Sequence, residues 1–562
     1  MQGKALDILI AGEAGQGLVT VGQVLAKALV KEGYHIVVTQ DYLSRVRGGH
    51  NTFRLRAGVE PLAAPREGVD LLVALDQESL DLHASLLRPG AQAVADSGLT
   101  CGLAPCFNVP YAELAPARFL NTVALGVTAD MLGLDMAVIQ RELAAFLGKK
   151  MTPEVTEKNR AALQAAYDFA RGCHPDFAPL ARPAAPASPR LMINGNEALA
   201  LGALAGGLKF LAFYPMTPST SIALTVIAHA AKLGVVCEQA EDEIAAVNMA
   251  LGASYAGAPA LVTTSGGGFA LMCEGISLAG MTETPLVVAL SMRPGPATGL
   301  PTRTEQGDLD LVLYAGHGEF CRAIYAPGSV EDCFHLAARA MSMAEKYQTP
   351  VFTLTDQFLA DSYRAVDPFD LAAVEPVVPG LAEPPDQAGY LRYALTDSGV
   401  SPRALPGLSR ALVVSDSDEH TEDGHITEDL SVRVAMQDKR LRKLAGLMAD
   451  RLPPSFTGPE DAEILLVGWG TSQGSLLEAA SEMNALGRRV ACCHFSQVWP
   501  LSGQDFLERF ARAGQVVMVE GNSTGQLAAL IRRETGFDIG RLVLRYDGLP
   551  ITPEYIRRQL EA

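Results

Sequence analysis

The chain has 562 residues, of which 48% are hydrophobic, and a formal net charge of −18 at pH 7. This apolar content excludes a disordered or fibrous protein, and the acidic charge argues against a nucleic-acid-binding protein, which needs basic stripes. At about 150 residues per domain, the length predicts three or four domains.

Membrane and export signals are not evident in the sequence. No run of about 18 uncharged apolar residues predicts a membrane span. Asp7 interrupts the apolar N-terminal stretch that a signal peptide would need. We therefore expect a cytoplasmic protein that makes no contact with a membrane.

The nine cysteines are scattered, and none forms a Cys-x-x-Cys pair. This pattern predicts reduced core thiols in a cytosolic protein. It argues against an iron–sulfur cluster held by this chain alone, because such a cluster needs closely spaced cysteine ligands. No metal ligand is predicted in the chain.

Residues 1–173 show repeated strand–turn–helix signals. A strand at Asp7–Ala11 leads into a glycine turn at Gly12–Gly17 and then into a helix at Val19–Glu32. The alternation predicts an α/β domain with a parallel sheet. Further buried strands are predicted at His35–Thr39 and Asp70–Leu75.

A Pro/Ala-rich stretch at 174–190 predicts a semi-extended linker, after which the strand–helix alternation restarts. Residues 191–365 and 461–562 are each predicted to form an α/β domain. Between them, 366–460 has few long apolar runs and is predicted to be irregular. The dense acidic stretch 416–429 is expected to be a solvated loop.

The glycine turn reads G-x-x-G-x-G, which differs from the dinucleotide order G-x-G-x-x-G and lacks the Lys-Ser/Thr of a P-loop. A turn between a strand and a helix can aim backbone N–H groups at an anion. Arg45 and Arg47, in SRVRGGHN, can pair with phosphate. Together the two loops predict a site for a phosphorylated ligand. Two alternatives stay open: the glycine turn binds no ligand, and the two arginines lie on a solvated face or at a subunit contact.

Polar groups cluster around the strands of 191–365. The YPMTPST turn (214–220) offers three Ser/Thr hydroxyls to a carboxylate or carbonyl, although taken alone it predicts only a rigid turn and helix N-cap. Acidic residues at the start of the next helix favour the helix dipole, but one buried glutamate could relay a proton to a nitrogen heterocycle. These acidic residues are Glu238, Glu241, Asp242 and Glu243. In the Gly/Pro-rich loop 292–309, Arg293 and Arg303 are candidates for a carboxylate clamp.

A resemblance to the α subunit of 2-oxoacid:ferredoxin oxidoreductases is carried by four motifs in fixed order: YPMTPST, EDEIAAVNMALGASYAGA, TTSGGGFALMCEG and RPGPATGLPTRTEQGDL. The N-terminal segment, with AGEAGQG and SRVRGGHNT, resembles the γ subunit of the same family. The 366–460 segment and VEGNSTGQLAAL resemble the 2-oxoglutarate-type members. The resemblance covers nearly the whole chain as a fused γ–α polypeptide, with GGG in place of the usual Gly-Pro-Gly and GPAT in place of GPST.

This resemblance implies an α/β fold of three parallel-sheet domains: a γ-type Rossmann-like domain, a thiamine-diphosphate pyrimidine domain and a transketolase C-terminal-like domain. It also implies the oxidative decarboxylation of a 2-oxoacid, with the acyl group passing to coenzyme A and the electrons to ferredoxin. For 2-oxoglutarate, the products are succinyl-CoA and CO₂, and the reaction is reversible in principle.

The resemblance also implies a separate β subunit. The chain has neither a G-D-G…N diphosphate/Mg²⁺ motif nor the cysteine spacing of a cluster. The β subunit would hold the Mg²⁺-diphosphate side of thiamine diphosphate and at least one [4Fe–4S] cluster. The expected assembly is a dimer of αβ units.

The family's functional positions map onto this sequence by motif. Glu243 matches the glutamate that contacts N1′ of the aminopyrimidine, with Glu241 as its competitor, and Pro215 lies on the pyrimidine side. Thr217 and Arg293 match the substrate-binding hydroxyl and the arginine that pairs with the 2-oxoacid carboxylate. The implied catalytic residues are Glu243, Thr217 and Arg293, and Tyr214 joins the substrate residues. The candidate coenzyme A pocket, or an inter-subunit surface, comprises Gly12, Gly15, Gln16, Gly17, Arg45 and Arg47.

Other functions are left open by the sequence. The same chemistry could act on pyruvate or on branched-chain 2-oxoacids. Asp41, which follows the glycine turn, could mimic the ribose-binding acid of a nucleotide-binding regulatory protein. A non-catalytic scaffold is a third hypothesis, because the chain lacks the diphosphate half-site.

Overall fold

The structure is a computed structural model that describes residues 5–42, 49–102, 105–148, 151–183, 189–374, 376–377, 379, 389–408 and 410–561. The strands of this part of the chain are β1 (Ala5–Glu13), β2 (His35–Asp41), β3 (His50–Gly58), β4 (Val69–Ala74), β5 (Leu87–Asp96), β6 (Cys106–Val109), β7 (Leu191–Ile193), β8 (Phe210–Phe213), β9 (Val236–Gln239), β10 (Ala260–Thr264), β11 (Leu286–Met292), β12 (Ala323–Tyr325), β13 (Pro350–Asp356), β14 (Arg364–Val366), β15 (Ser455–Thr457), β16 (Ile464–Trp469), β17 (Val490–Phe495), β18 (Gln497–Trp499), β19 (Gln515–Glu520) and β20 (Arg541–Leu544).

The α-helices of the same residues are α1 (Leu18–Lys31), α2 (Gln77–His83), α3 (Tyr111–Leu114), α4 (Leu120–Met131), α5 (Met136–Leu147), α6 (Pro153–Cys173), α7 (Gly195–Ala205), α8 (Thr220–Leu233), α9 (Glu243–Tyr255), α10 (Gly266–Leu271), α11 (Cys273–Met281), α12 (Leu309–Leu313), α13 (Val330–Tyr347), α14 (Gln357–Asp361), α15 (Leu430–Ala449), α16 (Gln473–Ala485), α17 (Leu507–Arg512), α18 (Gln526–Thr535) and α19 (Pro553–Glu561). Short 3₁₀ turns join several of them. Each of these helices is too short or too polar to cross a membrane.

The chain divides into two compact units. Unit 1 comprises the described residues up to Asn194, together with Asp361–Pro368 and Thr552–Tyr555, and unit 2 comprises the rest. Unit 2 therefore includes most of the 191–365 and 461–562 segments. The five-part division made from the sequence, with boundaries at 173, 190, 365 and 460, remains a prediction.

Unit 1 is built on one sheet with the strand order β6-β5-β4-β1-β3-β2-β14-β7. Successive residues of a strand face opposite sides of a sheet, and β1 is apolar on both sides. Ile8 and Ile10 belong to one apolar core, while Leu9 and Ala11 belong to another. Helix α1 packs closely on the first face, since a Cβ at Gly22 would overlap the ring of Phe53.

The strands of unit 1 are mixed in direction, although the α/β class is as expected. β1 runs parallel to β4 but antiparallel to β3, and β2 and β3 form an antiparallel pair. The physical reason is the short connection between Asp41 and His50, because a parallel crossover needs about a dozen residues or more. The parallel sheet predicted from the sequence lacked β3, which no apolar run in the sequence had indicated.

Unit 2 contains two sheets, with the orders β18-β12-β13-β11-β10-β8-β9 and β15-β17-β16-β19-β20. All pairs are parallel except those of the short strands β18 and β15. Every residue of β11 and β13 is buried, as expected for central strands covered on both faces. One continuous apolar core joins the two sheets, with Val288 and Phe352 on one side and Val467 and Met518 on the other.

The segment predicted to be irregular, 366–460, contains the long helix α15. Asp429 caps this helix by accepting a hydrogen bond of 2.7 Å from the Ser431 N–H. The inward face of α15 carries charged residues: Lys439 and Lys443 form buried ion pairs with Glu283, at 2.6 and 2.5 Å. Apolar periodicity could not reveal a helix whose buried face is cationic.

The acidic stretch 416–429 was expected to be a solvated loop, and for part of it this expectation is wrong. Glu419 accepts bonds of 3.0 and 2.8 Å from the buried Arg440 guanidinium on α15, and His420 is fully buried. The stretch therefore packs onto the helix through a fixed ion pair.

The cysteine prediction also needs a correction. Cys101 and Cys106 are joined as a disulfide. Cys106 begins β6, and the sequence spacing of the two cysteines matches no recognised motif. Of the other cysteines, Cys321, Cys333, Cys492 and Cys493 are buried thiols, while Cys173 is exposed.

Candidate active site

The candidate site lies at one edge of the seven-stranded sheet of unit 2. β11, β10, β8 and β9 are neighbouring parallel strands, so their carboxyl ends meet at the same edge. The loops that leave these ends carry the four motifs singled out in the sequence. Ligands of α/β sheets bind at such edges, so the sheet order gathers residues that are far apart in the chain.

Glu243 is the first residue of α9, and only 3% of its surface is exposed. The preceding Asp242 caps the helix by accepting a hydrogen bond of 2.7 Å from the Ala245 N–H. Glu241, the competitor of Glu243, is exposed. Glu238 is also exposed, and it lies on β9 rather than at the helix start. The structure thus separates the four acidic residues: one caps the helix, two are exposed, and Glu243 alone among them is buried.

The Glu243 carboxyl lies against Gly268 of α10. Its Oε1 atom is buried and has no hydrogen-bond partner among the described residues. A Cβ at Gly268 would overlap both this atom and the Thr264 hydroxyl. The absence of a side chain at Gly268 therefore leaves room for the carboxyl. An unpaired buried carboxyl oxygen is costly, so this atom is a candidate for contact with a ligand.

The YPMTPST turn is held in place from two sides. Asn196 Nδ2 on α7 donates a bond of 2.8 Å to the Pro218 carbonyl oxygen, and Ser219 Oγ donates one of 2.9 Å to that of Met216. The Thr217 hydroxyl has no hydrogen-bond partner among the described residues. Tyr214 and Pro215 are exposed at the start of the turn. The turn therefore presents these side chains to a ligand without using them internally.

Arg293 follows β11 and reaches this turn. Its Nη1 donates a hydrogen bond of 2.6 Å to the Thr217 carbonyl oxygen. Burial lowers the pKa of the Arg293 guanidinium, and the Asp308 carboxylate works against this shift. The remaining guanidinium N–H groups can pair with a carboxylate, which is the geometry that arginine favours.

Asp308 is a half-buried acid beside Arg293 and Gly266 that the sequence motifs did not single out. It stands in the quoted TRTEQGDL motif, but nothing in the spacing of an acid after a glycine marks it as functional. Its Oδ2 atom is buried without a partner in the described residues. The signal is tertiary, since only the packing of the loop reveals that the carboxyl is unpaired.

The glycine turn of unit 1 forms a separate candidate site. Gln16 folds back so that its Oε1 accepts a bond of 2.9 Å from the Glu13 N–H, and a Cβ at Gly12 would lie 2.5 Å from that oxygen. Gly15 and Gly17 have φ values of 103° and 82°, which favour glycine. Helix α1 begins without a side-chain cap and without an acid in its first turn, so its amide groups can bind an anion. Arg45 and Arg47 lie outside the described residues.

Comparisons with known proteins agree with this arrangement. Residues 7–169 match the family "Pyruvate ferredoxin/flavodoxin oxidoreductase", and residues 201–439 match "Pyruvate flavodoxin/ferredoxin oxidoreductase, thiamine diP-bdg". The second match contains Glu243, Gly268, Arg293 and Asp308.

Full-length relatives are similar along nearly the whole chain. The alpha subunit of 2-oxoacid:ferredoxin oxidoreductase 2 from Aeropyrum pernix is 33% identical, over 97% of this chain and 96% of its own length. The 2-oxoglutarate oxidoreductase subunit KorA from Mycobacterium tuberculosis is 29% identical, over 99% of this chain and 91% of its own length. A solved structure, 2-oxoglutarate:ferredoxin oxidoreductase from Magnetococcus marinus with 2-oxoglutarate, coenzyme A and succinyl-CoA bound, covers 100% of this chain and 99% of its own at 31% identity and a TM-score of 0.92. The chain belongs to the 2-oxoacid:ferredoxin oxidoreductase family, as an alpha subunit of this oxidoreductase.

Proposed function

We propose that the chain is the α subunit, with a fused γ-type unit, of a coenzyme A-dependent oxidoreductase that converts 2-oxoglutarate to succinyl-CoA and CO₂ and passes the electrons to ferredoxin. The observation that carries this proposal is the buried, unpaired Oε1 of Glu243 at the sheet edge where Thr217 and Arg293 meet. The choice of 2-oxoglutarate follows the relatives from Mycobacterium tuberculosis and Magnetococcus marinus.

Glu243 would hold the pyrimidine side of thiamine diphosphate, with Pro215 beside it. When bound, this cofactor supplies a nucleophilic carbon that adds to the keto group and accepts the electrons left as CO₂ departs. The role of Glu243 is to hold and exchange a proton at Oε1 with the ring nitrogen. The Mg²⁺-diphosphate side would belong to the β subunit.

Arg293, Thr217 and Tyr214 would bind the 2-oxoacid. The Arg293 guanidinium pairs with the carboxylate that is lost, and the free Thr217 hydroxyl donates to a carboxylate or keto oxygen. Because Arg293 is itself bonded to the Thr217 main chain, the two groups would keep a fixed separation while the substrate binds.

Coenzyme A would bind in unit 1 at the glycine turn, where the uncapped start of α1 and the open surface at Gly15 can receive a phosphate group. Gly12, Gln16 and Gly17 shape this turn, and Arg45 and Arg47 would add positive charge. The support from comparison is that the Magnetococcus marinus enzyme has coenzyme A bound.

A β subunit is the proposed partner, with a [4Fe–4S] cluster that delivers electrons to ferredoxin. Support comes from β9, which ends the seven-stranded sheet and is largely exposed. Large apolar side chains on β9 and on the helices beside it are 40% to 59% exposed, an unusual surface for a monomer: Leu224, Ile227, Val236, Ile244 and Met249. The proposed assembly is a dimer of αβ units.

The test is ferredoxin reduction by the anoxically purified complex of this chain with its co-purifying β subunit. We expect faster turnover with 2-oxoglutarate than with pyruvate, no thioester product without coenzyme A, and loss of turnover in Glu243→Gln and Arg293→Ala. Faster pyruvate turnover would overturn the substrate assignment. Full activity in both variants would favour the scaffold hypothesis, and purification without a partner or thiamine would favour a nucleotide-binding protein.

A further inference from the structure

Asp308 is a half-buried residue with one buried carboxyl oxygen, and the proposed function assigns it no role. Its Oδ2 atom has no hydrogen-bond partner among the described residues, and a Cβ at Gly266 would lie 2.5 and 2.7 Å from its two oxygens. Burial of an unpaired carboxylate oxygen is unfavourable unless the carboxyl is protonated or meets a ligand. The position of Asp308 therefore needs an explanation.

Asp308 and Arg293 interact electrostatically but form no direct ion pair. The two groups influence each other's pKa, yet no ion pair of 4.0 Å or less joins them in the described part of the chain. Arg293 instead uses Nη1 to hold Thr217. Both groups keep hydrogen-bonding atoms that no described residue uses: the Oδ2 atom of Asp308, and the N–H groups of Arg293 other than the one that holds Thr217. An oxygen of a 2-oxoacid can accept hydrogen bonds from both groups, provided that the carboxyl is protonated.

The main chain on both sides of Asp308 is clamped to the second sheet of unit 2. The Gln306 N–H donates a bond of 2.6 Å to the Gly521 carbonyl oxygen, and Gln306 Nε2 donates one of 2.8 Å to that of Trp469. Gln526, the first residue of α18, holds both neighbours of this position: its amide donates a bond of 2.9 Å to the Gly307 carbonyl oxygen and accepts one of 3.2 Å from the Asp310 N–H. Such support from neighbouring groups is typical of a preorganised ligand site.

We propose that Asp308 binds the 2-oxoacid in its protonated form and donates a hydrogen bond to an oxygen of the same end of the ligand that Arg293 holds. This inference rests on the proposed function of Arg293. Where Asp308 is ionised in the free enzyme, binding takes up one proton from solvent, and this proton stays on the carboxyl while the ligand is bound.

The charges around Asp308 favour the protonated form. Burial and the carboxylate of Glu305 in the same loop raise the pKa of Asp308 and Arg293 lowers it, with a net pKa of about 6. The pKa of Glu305 is itself raised by burial. Above the pKa of Asp308, each pH unit should therefore weaken 2-oxoacid binding about tenfold, because a proton must be taken up.

The test is the pH dependence of KM and kcat for 2-oxoglutarate, measured from pH 5.5 to 8.5 on the complex with the β subunit. In the wild type, KM should rise about tenfold per pH unit above pH ~6. In Asp308→Asn, which keeps a hydrogen-bond donor at every pH, KM should be independent of pH. Glu305→Gln should move the rise to lower pH, and Asp438→Asn, an exposed position on α15, should match the wild type. The same rise of KM in Asp308→Asn would overturn the proposal.

Unfolding of the full chain without the β subunit supplies a second readout. Because the folded state raises the pKa of Asp308 from 3.8, it binds more protons than the unfolded state at pH values between 3.8 and about 6. Wild-type stability should therefore fall as pH rises through that window, and Asp308→Asn should be more stable at pH 8. Lower stability of Asp308→Asn would indicate a structural counter-ion for Arg293 and would contradict the proposal. Absence of 2-oxoacid turnover in the wild-type complex would instead contradict the proposed function.

Discussion

Arg293 Nη1 lies 2.6 Å from the main-chain carbonyl oxygen of Thr217 and donates a hydrogen bond to it. The two residues follow different strands, β11 and β8, and β10 lies between these strands in the sheet. The bond ties the arginine to the turn that carries the candidate substrate hydroxyl, so that a change in one alters the position of the other.

Arg293→Lys tests this link. Lysine keeps the positive charge but cannot hold the Thr217 carbonyl and pair with a carboxylate through a planar fork. We expect KM for the 2-oxoacid to rise and kcat/KM to fall by roughly 2–4 kcal/mol of transition-state stabilisation, the scale for one lost charge-aligned donor. Steady-state kinetics of the complex measures both. An unchanged kcat/KM would mean that Arg293 acts as a structural residue.

Glu243→Gln and Glu241→Gln form a matched pair. Glu243 is buried with a free Oε1 atom, whereas Glu241 is exposed two residues earlier. We expect Glu243→Gln to reduce turnover by about 10²- to 10⁴-fold, the usual contribution of a positioned acid–base group, and Glu241→Gln to have little effect. The reverse order of effects would transfer the proton-exchange role to Glu241.

Gly268→Ala should displace the Glu243 carboxyl, because the added Cβ would overlap it. We expect weaker thiamine diphosphate binding and a stability loss of about 1–3 kcal/mol from overpacking. Gly252→Ala is the control, since a Cβ at this exposed position of α9 meets nothing within 4 Å. Helix propensity predicts that this control is neutral or slightly stabilising. Calorimetric titration with the cofactor and thermal unfolding distinguish the two variants.

Glu283→Gln should destabilise unit 2. The Glu283 carboxylate neutralises Lys439 and Lys443, all three being buried. Removal of one partner from a buried ion pair costs about 3–5 kcal/mol, because charge is left without compensation. Chemical denaturation measures the loss. Glu463→Gln, which removes an exposed pair with Arg488, should leave the unfolding free energy nearly unchanged.

The same cluster predicts a dependence of stability on acid. The ammonium groups of Lys443 and Lys439 and the Arg392 guanidinium lower the pKa of Glu283 to about 2 against the opposing effect of burial, from an ordinary value of 4.5. The stabilisation is therefore present above pH 4.5 and is lost as pH falls toward 2. In that window the unfolding free energy of Glu283→Gln should change less steeply with pH than that of the wild type. Parallel curves would show that Glu283 does not titrate in this range.

The sequence determined the local elements and the residues that bear chemistry. Alternating apolar runs and glycine turns predicted β1, α1 and the strands around the site, because strand and helix periodicity are encoded locally. The ordered motifs predicted the family, and with it the candidate roles of Glu243, Thr217 and Arg293. Short-range patterns suffice for both, since each motif spans only a few neighbouring residues.

Only the tertiary structure decided which of these groups are buried, paired or free. It separated Glu243 from Glu241 by burial, paired Lys439 with Glu283 across 156 residues, and left the Asp308 carboxyl unpaired between clamped segments. Helix α15 escaped prediction because its inner face is held by charge rather than by apolar contacts. Burial and pairing depend on contacts between distant segments, and the sequence of one segment does not specify which other segment will cover it.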